Sequence, residues 1–262
     1  MVQSGDVMHS GPPVRLDPAS AVSRMGIIVL STDLTTERDA ARLVPADQAA
    51  VHVTRVSFQN PTTPENLRLM GPFLTQAAAL ILPSEPLAAI YYSCTAASIV
   101  IGDAAIAEAI HASRPGVPVV TPSAAALAAF QKLGVRRVAL VTPYLPETTR
   151  PVIRYFNEHG LEIIKCVSLG LEDDRDMARI SPDTITEAVE AADTAEAEAI
   201  FLSCTALPAV GLINALEAKL GKPVVSSNQA ALWQMLGHAG LTPAAGAPGL
   251  LFASDMSERV AS

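Results

Sequence analysis

An internal repeat constrains this chain more than any other feature. The run Ile27-Ile28-Val29-Leu30-Ser31-Thr32 is answered 111 residues later by Val138-Ala139-Leu140-Val141-Thr142-Pro143. Tyr92-Ser93-Cys94-Thr95-Ala96 is answered by Leu202-Ser203-Cys204-Thr205-Ala206 at an offset of 110, and Pro118-Val119-Val120 by Pro223-Val224-Val225 at 105. Ala125-Ala126-Leu127 and Ala230-Ala231-Leu232 follow the last pair at equal spacing. Three ordered matches at a nearly constant offset describe a duplicated half, so the fold of one copy constrains the other.

Within each copy, short β-branched runs alternate with longer Ala-rich helical stretches, the pattern of parallel strands joined by crossover helices. Strands are predicted near Met25–Leu30, His52–Val56, Ala89–Tyr92, Pro118–Val120, Val138–Val141, Glu162–Val167, Ala199–Leu202 and Pro223–Val225. They suit an α/β fold of two pseudo-symmetric domains, each a four-stranded parallel sheet flanked by helices, with the active site in the cleft between them. The expected division is a flexible leader over 1–23, a first domain over 24–133 plus 227–262, and a second over 134–226. With 262 residues and 50% apolar content there is material for both cores.

Composition narrows the partners. Only 17% of residues are charged and the net charge is −8, so neither nucleic acid nor a lipid surface is expected. The weakly polar run Leu87–Gly102 contains Ser93, Thr95 and Ser98 and falls short of the roughly 20 apolar residues of a membrane span. The opening residues, with Asp6, Gly11, Pro12, Pro13 and Asp17, lack the charged-then-apolar order of an export signal, which reads as a cytoplasmic protein. Three cysteines without C-x-x-C spacing and five isolated histidines give neither a disulfide framework nor a metal site. No G-x-G-x-x-G follows a strand and G-x-S-x-G is absent, so no dinucleotide and no serine nucleophile are expected. The expectation is chemistry without a cofactor.

In parallel α/β sheets, ligands bind at the carboxyl ends of strands, where the next helix presents free N–H groups. Each Ser-Cys-Thr falls at such a place, and a pseudo-two-fold would bring both to one cleft. There a thiol is expected to ionise below its usual value of about 8.5. Cys166, inside a strand and without a counterpart, reads as a core residue. Thiols on opposite faces of a substrate can remove a proton from carbon on one side and deliver one on the other. Alternatively, one adds to an activated double bond while the other handles the proton. Both routes need donors for a developing enolate or carboxylate, and Thr95, Thr205 and the turn N–H groups at Ala96 and Ala206 are the candidates.

Together, the Ser-Cys-Thr pair, Val141-Thr142-Pro143-Tyr144, the stretch from Ser168-Leu169-Gly170 to Ala178-Arg179-Ile180, and Pro223 through Gln229 ahead of Trp233 resemble the aspartate/glutamate/hydantoin racemase superfamily. Within it they resemble the maleate cis-trans isomerase and arylmalonate decarboxylase branch. The segments Leu30–Glu37 and Tyr91–Cys94 resemble the ectoine-utilisation EutA group in particular. The resemblance covers roughly Met25 to Gly240. It implies that Cys94 and Cys204 are the catalytic pair, that Thr95 and Tyr144 grip a substrate carboxylate, and that the chain forms a homo-oligomer, dimer or tetramer. Decarboxylases of this branch keep only the second cysteine and have glycine at the first place, so the retained Cys94 points away from decarboxylation.

The chain also departs from this pattern. Where maleate isomerases resemble P-S-S-N-T, it has Ser31-Thr32-Asp33, and Asp174 aligns with an asparagine after the sixth strand. Two amide donors thus become carboxylates, which only accept when ionised. The expectation is that Asp33, with Asp174, meets an ammonium or amidine-like group on a zwitterion, or that Asp33 activates Cys94. Glu172 to Asp176 also reads as a solvated loop capping a helix, Ser226-Ser227-Asn228 as a helix cap, and Trp233 as core. The leading expectation is a cofactor-independent isomerase, racemase or epimerase of a small carboxylate or amino-acid-like compound, and the resemblance implies a part in ectoine or hydroxyectoine breakdown. Alternatives are a maleate cis-trans isomerase, an arylmalonate-type decarboxylase, and a non-catalytic small-molecule binding protein.

Overall fold

A computed structural model describes residues 11–18 and 21–253 and places the duplicated sequence in two four-stranded sheets. The first holds β1 (Ser23–Leu30), β2 (Ala49–Val56), β3 (Ala89–Ser93) and β4 (Val119–Val120) in the order β2-β1-β3-β4. The second holds β5 (Arg137–Tyr144), β6 (Glu162–Leu171), β7 (Ala199–Leu202) and β8 (Val224–Ser226) in the order β6-β5-β7-β8. Every neighbouring pair is parallel, and the same order occurs twice. All eight expected strands form. Of the expected leader, residues 1–10, 19 and 20 lie outside the described residues, 11–18 form neither helix nor strand, and β1 opens at Ser23. Residues 254–262 also lie outside.

Sheet register corrects one detail of the repeat. Met25 pairs with Ala89 as Val138 pairs with Ala199, so the leading strands correspond at an offset of 113, from Met25 to Val138. The sequence match at 111 is displaced by two residues, one full strand period, and therefore preserved which side chains share a face.

Burial explains why these runs are strands. From Met25 to Leu30 and from Val138 to Tyr144 the described side chains are buried, as expected of parallel sheets covered by helices on both faces. In chain order the helices are α1 (Thr36–Leu43), α2 (Pro64–Arg68), α3 (Leu74–Ala79), α4 (Thr95–Ile101), α5 (Asp103–His111), α6 (Pro122–Lys132), α7 (Pro146–Glu158), α8 (Asp174–Met177), α9 (Pro182–Ala192), α10 (Ile213–Leu220) and α11 (Ser227–Ala239). Local chemistry sets several boundaries. Thr121, Ser181 and Ser226 accept a backbone N–H at the starts of α6, α9 and α11, and Gly221 and Gly240 end α10 and α11 in the left-handed conformation.

The last helix of each half reaches across to the other. α11 packs on β3 of the first sheet and against α6, while Phe130 of α6 meets Phe201 of β7 edge-on, with ring centroids 5.6 Å apart. No helix among the described residues is long and apolar enough to cross a membrane.

Candidate active site

The two cysteines leave their strands in different ways. Cys94 follows β3 with extended backbone and is itself the N-cap of α4, so the first-turn N–H groups of that helix begin at Thr95. After β7 no helix follows Cys204 directly. Pro208 disfavours helical conformation at Leu207, and α10 starts only at Ile213. The expectation of a helix N-terminus behind each thiol therefore holds for Cys94 and is corrected for Cys204. A tight turn serves there instead, with the Ala206 N–H donating to the Cys204 sulfur at 3.3 Å.

Both thiols line one cavity, and so do Asp33, Tyr144, Asp174, Thr205 and Ala206. Thr95 and Ala96 do not line it. The Thr95 hydroxyl is donated to Ser227 Oγ at 2.8 Å and lies within hydrogen-bonding reach of Tyr144, one layer behind the wall. Leu30, Thr62, Leu67 and Met177 complete the lining; sequence reasoning named Leu30 only as a strand end and in a family motif, and the other three not at all. The Asn60-Pro61 turn was the one visible signal for Thr62. The cavity is closed to about 20 Å³, room for about one water.

Burial dominates the electrostatics. It pushes the Cys204 thiol up to about 11, although a hydrogen bond from Tyr144 and the N–H groups of Ala206 and Leu207 favour the thiolate. Burial raises Cys94 as well, against a single backbone donor at Ala97. The expected lowering of the thiol values is thus overturned in the closed cavity, because desolvation outweighs the local N–H groups. Cys204 has the fuller set of donors at its sulfur, Tyr144 and two backbone N–H groups against one at Cys94. Cys166, half-buried on β6, is raised to about 11 by burial alone.

Asp33 faces the start of α1. Its Oδ1 accepts from Thr35 N at 3.0 Å and Thr36 N at 2.9 Å, and its Oδ2 from Thr36 Oγ1 at 2.7 Å. Burial nevertheless holds its carboxyl above the ordinary value, since desolvation exceeds those three hydrogen bonds. The Thr36 hydroxyl also shares a 2.7 Å hydrogen bond with Ser93, beside Cys94. Asp174 accepts from Thr32 Oγ1 at 2.5 Å and Asn60 Nδ2 at 2.8 Å. It is buried rather than part of a solvated loop, and Asp173 is the residue that caps α8.

The sequence model of the family described as arylmalonate decarboxylase matches residues 76–252. The chain belongs to the arylmalonate decarboxylase family. The maleate isomerase of Alcaligenes faecalis is 25% identical over 232 residues, 83% of this chain and 91% of that protein. The arylmalonate decarboxylase of Bordetella bronchiseptica is 37% identical over 129 residues, 48% of this chain and 53% of that one. Among solved structures, a cysteine-to-alanine variant of the maleate isomerase Iso from Pseudomonas putida S16, with maleate, has a TM-score of 0.82 at 25% identity, covering 89% of this chain and 98% of the other.

This member of the arylmalonate decarboxylase family ties its cavity to α11 through Asn228. Asn228 Nδ2 donates to the Thr205 carbonyl at 2.9 Å and to Asp39 Oδ2 at 2.8 Å, and Asn228 Oδ1 accepts from Tyr91 at 3.0 Å. The expected cap of α11 is thus divided: Ser226 caps, Ser227 holds Thr95, and Asn228 fixes the turn after Cys204.

Proposed function

We propose that this chain is a cofactor-independent isomerase of a small carboxylate, working through Cys94 and Cys204. The observation that carries the reading is the convergence of both thiols on one closed, buried cavity, with Tyr144 hydrogen-bonded to Cys204. In the proton-transfer route one sulfur, as thiolate, takes the proton from the carbon next to the carboxylate. The C–H electron pair moves into the carboxylate as an enediolate, and the other thiol returns a proton to the opposite face. The configuration inverts, and the two sulfurs exchange protonation states. Tyr144 and the turn N–H groups at Ala206 and Leu207 supply the nearby donors for the negative charge.

Asp33 and Asp174 favour a substrate that also carries an ammonium or amidine-like group, because both are carboxylates lining the cavity at positions where the resemblance implies amides. On that resemblance alone, the zwitterion belongs to ectoine or hydroxyectoine breakdown. A second reading, cis-trans isomerisation of maleate, draws on the maleate isomerases that match most of the chain. In it one thiolate adds to the double bond, the bond rotates as a single bond, and expulsion of the same sulfur restores the alkene. The retained Cys94 argues against decarboxylation. The working form is a cytoplasmic homo-oligomer.

Proton NMR in D2O, with small amino-acid zwitterions and with maleate, tests the assignment. We expect exchange or isomerisation at a substrate carbon that falls at least about 10²- to 10⁴-fold in Cys94→Ser and in Cys204→Ser. Binding of these compounds without any exchange or isomerisation would instead identify a receptor.

A further inference from the structure

A second cavity, of about 400 Å³, lies beside the first. Arg38 and Arg42, one turn apart on α1, form one side, and Arg179 with the start of α9 at Ser181 forms the other. Three guanidinium groups gathered at one place on a chain of net charge −8 need a reason. Arg179 pairs with Asp176, but Arg38 and Arg42 have no hydrogen-bond or ion-pair partner among the described residues. Gly211 makes room for Arg42, since a Cβ there would stand 3.0 Å from Nη1. The only carboxylate in the lining is Asp39, which is 3% exposed and accepts from Asn228; Arg42 and Arg38 act on it through their charge but do not contact it.

The two cavities share a wall. Thr35 lines the arginine pocket and donates its hydroxyl at 2.7 Å to the carbonyl of Ala206, which lines the catalytic cavity, and Met177 of the catalytic lining leads directly into Ala178 and Arg179. The catalytic cavity is closed, whereas the arginine pocket has room for a small molecule. Guanidinium groups with free donors suit a carboxylate, which can accept two parallel hydrogen bonds.

We propose that the Arg38–Arg42–Arg179 pocket is a second carboxylate site, where an anionic substrate is held beside the catalytic cavity before it enters. The carboxylate class rests on the proposed function, but the test of binding does not need turnover. Full-length protein is titrated by calorimetry with succinate, an unreactive saturated dicarboxylate, and separately with inorganic phosphate. The wild type, the Arg38→Gln/Arg42→Gln double variant and Arg179→Gln are compared. Expected is a succinate site that disappears in the double variant and weakens roughly tenfold in Arg179→Gln. For any carboxylate the enzyme converts, kcat/KM should fall roughly tenfold in the double variant while kcat holds. Succinate binding untouched by the arginine changes overturns the site, as does phosphate bound there without succinate. Loss of the succinate site with kcat/KM unchanged overturns the docking role. Absence of turnover with every compound would defeat the isomerase assignment while leaving the succinate titration able to decide this one.

Discussion

Ser93 and Ser203 precede the cysteines in identical tripeptides, yet Ser93 shares a hydrogen bond with Thr36 while the buried Ser203 hydroxyl has no partner among the described residues. Breaking a buried hydrogen bond costs more than removing an orphaned hydroxyl. Urea unfolding should therefore show Ser93→Ala less stable by about 1–3 kcal/mol and Ser203→Ala unchanged or slightly more stable. Asp33 makes a sharper test of substrate class. An asparagine there keeps an acceptor for the Thr35 and Thr36 N–H groups and adds a donor, so Asp33→Asn should fold normally. It should lose turnover of amino-bearing substrates and gain turnover of a dicarboxylate; unchanged selectivity between the two would remove Asp33 from recognition. Both cysteines were legible because the repeat and the strand-end rule point to where ligands bind, whereas Tyr144, Asp33 and Asp174 were reached only through the family resemblance. Thr62, Leu67 and Met177 were not legible, since residues brought in by loops far along the chain carry no local pattern.

At the scale of elements, the bond between α1 and α11 responds to pH. Burial raises Asp39 to about 7 from an ordinary 3.8, despite the hydrogen bond from Asn228. Between those values the folded protein holds a proton that the unfolded chain has released, so stability falls as pH rises from about 4 to about 7. Asp39→Asn should flatten that slope in urea unfolding at pH 4.5 and 7.5, leaving the smaller part due to Asp33, which is raised in the same direction. The strands were readable because fully buried parallel strands are apolar runs with distinct ends. The delayed start of α10 was not deduced, although Pro208 stands in the sequence, because the matching tripeptides suggested matching continuations.

For the molecule as a whole, the closed cavity requires motion. The segment after β2 and the segment after β6 meet over it, with Thr62 N donating to the Glu172 carbonyl at 2.8 Å and Asn60 Nδ2 to Asp173 and Asp174 at 2.9 and 2.8 Å. With room for about one water, the cavity must open to admit a small carboxylate, either where these segments meet or at the wall it shares with the arginine pocket. A Thr62→Cys/Glu172→Cys pair, once oxidised, should lose turnover and regain it on reduction; full activity in the oxidised form would show another way in. The exchanged final helices have a different consequence, for how the chain can be cut. A break after residue 133 leaves α6 on the first piece and α11 on the second, so each fragment carries the helix that packs on the other's sheet. Neither piece has its layers complete alone, and the two, expressed separately and mixed, should reconstitute the enzyme by complementation.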